Sequence, residues 1–324
     1  MWPFSGGMPS VWLALYLVTL AVHLALIGFV VAGTGHALVH AVRGTDDRVA
    51  ERTRDLLPFL LGLGITAGVA PLLFLQLLYQ RPFYTANLLL GPRWGAVVPA
   101  LIAGFYALYL AKAAGRRARR LALGVALACF GFVAWSWSEL HLLLQDEPAW
   151  AAMYAAGDRL YANASVVPRV VLWLGVMITA YATIAVWGAR RVDRRRLAGL
   201  ALAGRLLGAA AVGLLVADGV SVHPAAHGWA IVLAGLLAAE LAGWLATWRR
   251  PDGRGPHLAT AAGALGLVAT MVVREAPRLA ILEPPRALAA EASGFPVFVL
   301  TAVLGVLVIT QIVRTIRAVE RDVN

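Results

Sequence analysis

Long stretches without a formal charge constrain this chain more than any other feature. Several runs of about 18 residues or more contain no Lys, Arg, Asp or Glu. In that number they specify a polytopic helical membrane protein. Composition agrees: 60% of the residues are apolar and 14% charged, where soluble domains carry about 25% charged residues. A soluble globular enzyme, a disordered chain and a coiled coil are thereby excluded. The 32 glycines fit the same class, because small residues let membrane helices approach closely.

Nine apolar runs can be drawn, at about 11–40, 57–80, 94–114, 121–144, 166–189, 197–217, 228–248, 257–274 and 294–314. Each is long enough to cross a bilayer at about 1.5 Å per residue. The expected fold is all-α: one transmembrane domain over 1–324 with nine membrane-spanning helices. The first run exceeds the bilayer, so it tilts or projects. Residues 1–10 carry no Lys or Arg, and no small-residue cleavage site follows a short apolar core, so this run is expected to be a retained span.

The net charge of +11 comes from 28 Lys and Arg against 17 Asp and Glu. Nucleic acid is not the inferred partner, because the basic residues fall in short connections between apolar runs. With the N-terminus outside, twenty of them lie on the inner side and seven on the outer, with Arg205 inside a span. That asymmetry specifies an N-out, C-in topology with the lipid bilayer as the surrounding partner. The single cysteine, Cys129, excludes an internal disulfide, a cysteine-type zinc site and an iron–sulfur cluster.

Ionisable residues at membrane depth are the functional candidates, since each is costly when unpaired. Counting from the inner charges puts His23 in the outer half of the first span, where an imidazole suits axial ligation of haem iron or a hydrogen bond to a neighbouring helix. His36 and His40, four apart near the inner end, share a face as an interfacial polar pair or metal ligands. They are turned away from His23, so the two positions cannot serve one ligand. Arg205 and Glu240 lie at matching depth on consecutive antiparallel spans, as an ion pair or a proton relay. Glu139 reaches the outer interface beside Trp135 and Trp137, which fit an aromatic belt. Glu139 and His141 together are candidates for a proton-transfer or ligand pair. Arg274 and Arg278 end the eighth span as flank charges or as partners for haem propionates. His223 and His227 are expected to be solvated.

Four segments carry a family resemblance: Leu20-Ala21-Val22-His23-Leu24-Ala25-Leu26-Ile27-Gly28; Gly68-Val69-Ala70-Pro71-Leu72-Leu73-Phe74-Leu75-Gln76 followed by Arg81-Pro82-Phe83-Tyr84-Thr85; Val167-Pro168-Arg169; and Arg274-Glu275-Ala276-Pro277-Arg278. Together they resemble the large, haem-binding subunit of cytochrome bd-type quinol oxidases and its shorter relatives. The resemblance implies a nine-span core in the bacterial inner membrane, a haem b held by His23, contact with quinone, and other subunits of a respiratory electron-transfer complex. The chain departs from the family in four places. Val170 to Leu174 offer no histidine where the family has a second haem ligand, and the seventh span lacks the family's methionine. The run from Trp94 to Ala114 has no carboxylate. The connection at 218–227 is far shorter than the family's quinol-binding loop. A reduced haem set is therefore expected. The competing readings are a cofactor-free membrane anchor that docks partners, and a transporter or proton channel using Arg205 and Glu240.

Overall fold

A computed structural model describes residues 8–281 and scattered helical positions between 297 and 314. The helices are α1 (Met8–Arg43), α2 (Arg48–Leu78), α3 (Gln80–Leu90), α4 (Pro92–Gly95), α5 (Val97–Ala113), α6 (Arg116–Leu143), α7 (Glu147–Ala156), α8 (Val166–Ala185), α9 (Arg191–Ala217), α10 (His227–Arg249) and α11 (Gly255–Ile281). Among the described residues there is no strand. The physical reason is that a helix closes its backbone hydrogen bonds within itself, which hydrocarbon demands. Among the described residues, eight helices are long and apolar enough to cross a membrane; α3, α7 and the four-residue α4 alone are not. The eight coincide with the first eight apolar runs. The ninth, about 294–314, falls largely outside the described residues.

The arginine-rich turns gather at one end of the bundle, called here the basic end; the opposite end is the far end. At the basic end the α1–α2 turn passes through Gly44 at φ 68°. Asp47 then caps α2, its Oδ1 accepting from Ala50 N at 2.8 Å. The far-end connections fold into α3, α4 and α7. Their starts carry helix signals: Pro148 stands in the first turn of α7 just after Asp146, and Gly157 ends it at φ 70°.

Sequence neighbours pack as antiparallel pairs, and α1 also touches α6, α8 and α11, so it is the central helix. The α8–α9 crossing rests on bare backbone. A Cβ on Gly175 would stand 2.6 Å from Gly204 O and 2.8 Å from Gly208 N. Small residues are how membrane helices gain packing without a hydrophobic drive between them. Gly175→Leu is accordingly expected to force α8 and α9 apart. It should lower stability by about 1–3 kcal/mol or more, read as a lower melting temperature in detergent; an unchanged melting temperature would refute the close crossing.

Two apolar cores result. One, at the far end, is built around Trp12, Tyr16, Phe74, Phe83, Leu140 and Met271. The other, nearer the basic end, gathers Phe29, Leu57, Leu108, Phe130, Tyr181 and Trp244.

Candidate functional site

Between the two cores the bundle leaves a cavity of about 470 Å³, walled by α1, α2, α4, α5, α6, α8 and the single residue Arg274 of α11. Most of its lining is aliphatic or aromatic. Two imidazoles and a guanidinium reach it, His23 from α1, His141 from α6 and Arg274, alongside Tyr16, Ser138 and Met177.

His23 is fixed from one side. Its Nδ1 lies 2.9 Å from the carbonyl oxygen of Gly64 on α2. A carbonyl only accepts, so Nδ1 carries the proton and Nε2 keeps its unshared pair. One turn along α2, Gly68 makes room for the ring: a Cβ there would fall 2.7 Å from His23 Cε1. A hydrogen bond that sets the tautomer and a cradle that sets the ring plane are what a metal-ligating histidine requires. His141 is half-buried, with its Nδ1 enclosed and unbonded, its ring edge-on to Trp137 at 6.4 Å.

Arg274 lies beside the Trp173 ring, 5.8 Å from its centroid. Its Nη1 is buried without a hydrogen bond, 3.6 Å from Glu275 Oε2. Arg278 does not line the cavity. It is buried behind the wall, its Nη1 donating to both Glu275 oxygens at 3.0 and 3.1 Å and to Tyr16 Oη at 3.3 Å. Of the two arginines expected to meet an anionic ligand, only Arg274 is on the wall. The charges bearing on His141 are Arg274, Arg278 and Arg169, while Glu275 is already shared by two of them. That corner of the cavity is therefore electropositive.

Glu139 and His141 do not act as a pair. Two residues apart on a helix they point about 200° apart, and the structure gives them different partners. Glu139 is buried and forms an ion pair with Arg93 of α4, and it also accepts from Tyr161 N at 3.1 Å. This pair fastens α4, and with it Trp94, over the far end of the cavity. Trp137, expected in an aromatic belt, turns inward instead: it lines the cavity and packs edge-to-face on Trp94 at 4.8 Å. Trp135 stays exposed. Above the membrane-spanning part, Tyr161 Oη donates to Asp146 at 2.6 Å; burial, with that hydrogen bond adding, pushes its phenol up to about 12.

Arg205 and Glu240 meet away from the cavity, Arg205 Nη2 donating to Glu240 Oε2 at 2.5 Å. His36 and His40 lie at the basic end of α1, with His36 Nδ1 2.9 Å from Tyr181 Oη. His223 accepts from Ala225 N at 3.3 Å, and His227 is exposed.

Sequence reasoning did not assign Tyr16, Gly68, Trp173 or Met177 to the site. Gly68 and Arg169 stood in the segments that carry the resemblance, but nothing in the sequence shows that one receives the His23 ring and the other bears on His141. Neither a protein-family model nor a curated protein matches this chain.

Proposed function

We propose that this chain is an integral membrane subunit of a respiratory electron-transfer complex, built like the large subunit of cytochrome bd-type oxidases and holding at most one haem b in the cavity. One observation carries the reading: an oriented histidine, His23, and an arginine, Arg274, whose Nη1 makes no hydrogen bond share the wall of one apolar cavity. The volume is within the about 300–1,000 Å³ of ordinary cofactor sites. His23 would offer Nε2 to the iron, its basicity raised by the hydrogen bond to Gly64. His141, on the facing helix, is the second nitrogen available. Arg274 would neutralise a propionate, as a charge-assisted pair with a mostly buried guanidinium. The aliphatic lining excludes water from the ring. When bound, the haem supplies one-electron exchange.

Ile65, Val69 and Val98 are exposed while also lining the cavity, which supports access from lipid between α2 and α5 and suits a quinone as the mobile redox partner. The wider reading has nine spans, the N-terminus outside, the basic end in the cytoplasm of a bacterium with the protein in its inner membrane, and other subunits completing the complex.

The test is a reduced-minus-oxidised absorption spectrum of the purified full chain, with haem counted per protein. A b-type spectrum at up to one haem per chain is expected, and it should be lost in His23→Ala and diminished in Gly68→Leu. Unaltered haem content in His23→Ala would remove the ligand assignment. A haem-free wild-type protein from haem-replete membranes would overturn the reading in favour of a docking subunit.

A further inference from the structure

A second cluster of metal-ligand chemistry lies outside the cavity, at the basic end. We propose that His36, His40 and Asp47 bind one divalent transition cation of the zinc class, clamping α1 to the start of α2. His36 and His40 share a face because they are one turn apart, and their rings meet edge-to-face at 4.7 Å. The turn through Gly44 brings Asp47 back beside them. One ring nitrogen of each histidine and one carboxylate oxygen all lie within 4.8 Å of one another.

Each ligand is already oriented. His36 Nδ1 lies 2.9 Å from Tyr181 Oη, and that hydroxyl lies 3.0 Å from Thr53 Oγ1. His40 Nδ1 lies 2.8 Å from Thr45 Oγ1. Protons running from the imidazoles into these hydroxyls leave the other ring nitrogen of each histidine with a free lone pair. An outer hydrogen bond of that kind accompanies nearly every metal-bound histidine. Asp47 is pinned by Ala50 N on Oδ1. Its Oδ2 has Arg196 at 3.4 Å, a long contact from a side chain that is 69% exposed. Such a surface partner holds weakly and can swing into water when a doubly charged ion arrives.

The route in is present. A small pocket of about 70 Å³ touches His40, Thr45 and Asp47. Asp46 and Glu51 line it along with Arg54, Arg116 and Arg119, and two of these arginines are engaged elsewhere. Arg54 binds Asp55 at 3.0 Å, and Arg119 donates to the carbonyl oxygens of Ala111 and Ala114. Two nitrogens and one carboxylate, with water in a fourth position, is an ordinary zinc set. Bonds of about 2.0–2.2 Å need the donors to draw together by about 1 Å, within reach of side-chain rotation.

The experiment titrates the metal-stripped full chain in detergent with Co²⁺, then displaces it with Zn²⁺. One equivalent of Co²⁺ with the visible d–d bands of a four-coordinate site is expected, bleached by stoichiometric Zn²⁺. His40→Ala and His36→Ala should each abolish the bands. Tyr181→Phe, which keeps the ring and removes the hydroxyl shared by His36 and Thr53, should weaken binding by about 10–100-fold. His23→Ala should leave the titration unchanged, separating this site from the cavity. Monodisperse elution and an unshifted melting curve for the metal-free variants certify folding; His40 is only half-buried, so its loss is tolerable. Bands persisting in the His36→Ala/His40→Ala double variant, or no saturable binding by the wild type, would overturn the proposal.

Discussion

Replacing Arg205 with methionine is expected to destabilise the protein by about 3–5 kcal/mol, because it strands a buried carboxylate. Glu240 is fully buried. Its Oε2 takes the Arg205 proton at 2.5 Å, and its Oε1 accepts only a long bond from Trp244 Nε1 at 3.4 Å. Across the interface, Gly263 of α11 leaves the space the carboxylate occupies, since a Cβ there would stand 3.1 Å from Oε1. With Arg205 gone, no cation offsets the cost of that burial. The double variant Arg205→Met/Glu240→Met removes both charges and should recover most of the loss, since apolar pairs in such sites are often neutral or better. Unfolding of the four proteins in mixed micelles provides the cycle. A double variant as damaged as the sum of the singles would show that the two groups do not interact. The same contacts argue against a transport role for this pair: the carboxylate is held by its arginine and by a tryptophan at the meeting of three helices, which is the surrounding of a clasp.

How legible this was depended on how local each determinant is. The eight described spans follow from hydropathy alone, because burial in lipid is a one-residue property averaged over a window. The Arg205–Glu240 contact was also readable, since equal counts from the basic end on antiparallel neighbours place both at one depth; the role of Gly263 was not, because it lies on a third helix. Glu139 shows the opposite case. Its partner Arg93 and the Tyr161 amide approach from chain segments 46 and 22 residues away, and no periodicity encodes that. The splitting of Glu139 from His141 and of Trp135 from Trp137 was available from the two-residue spacing, which a helix turns to opposite sides. His23 was singled out by its depth, yet the two features that orient it, the Gly64 carbonyl and the bare Gly68, belong to α2 and become visible only once α1 and α2 are packed. The short far-end helices carry their proline and glycine punctuation in the sequence, but hydropathy, which finds the spans, does not register helices this short.

The purified chain on its own is expected to show no steady quinol-dependent oxygen consumption, at least about 100-fold below a complete quinol oxidase by turnover, an order-of-magnitude figure set by ordinary enzyme rates of about 1–10³ s⁻¹. Oxygen reduction driven by quinol needs one centre that takes electrons from quinol and a second that holds oxygen, with a proton path between solvent and that second centre. The nitrogen donors of His23 and His141 and the sulfur of Met177 all face one cavity of about 470 Å³, which would hold one cofactor and so supply one of the two centres. The wall contributed by α8 is Val170, Trp173 and Met177, without a histidine, and that from α5 is Val97, Val98 and Leu101, without a carboxylate to carry protons. Between α9 and α10 the chain runs only from Asp218 to Ala226, too little to fold over a quinol headgroup. These are separate parts, so a single substitute residue does not restore the reaction. Activity is expected when the chain is isolated with its native partners from gently solubilised membranes, and it should fall with His23→Ala if the cavity haem lies on the electron path. An oxygen electrode trace with a soluble quinol analogue decides the matter: sustained, cyanide-independent or cyanide-sensitive consumption by the lone chain, absent in His23→Ala, would mean that one cavity suffices for the whole reaction.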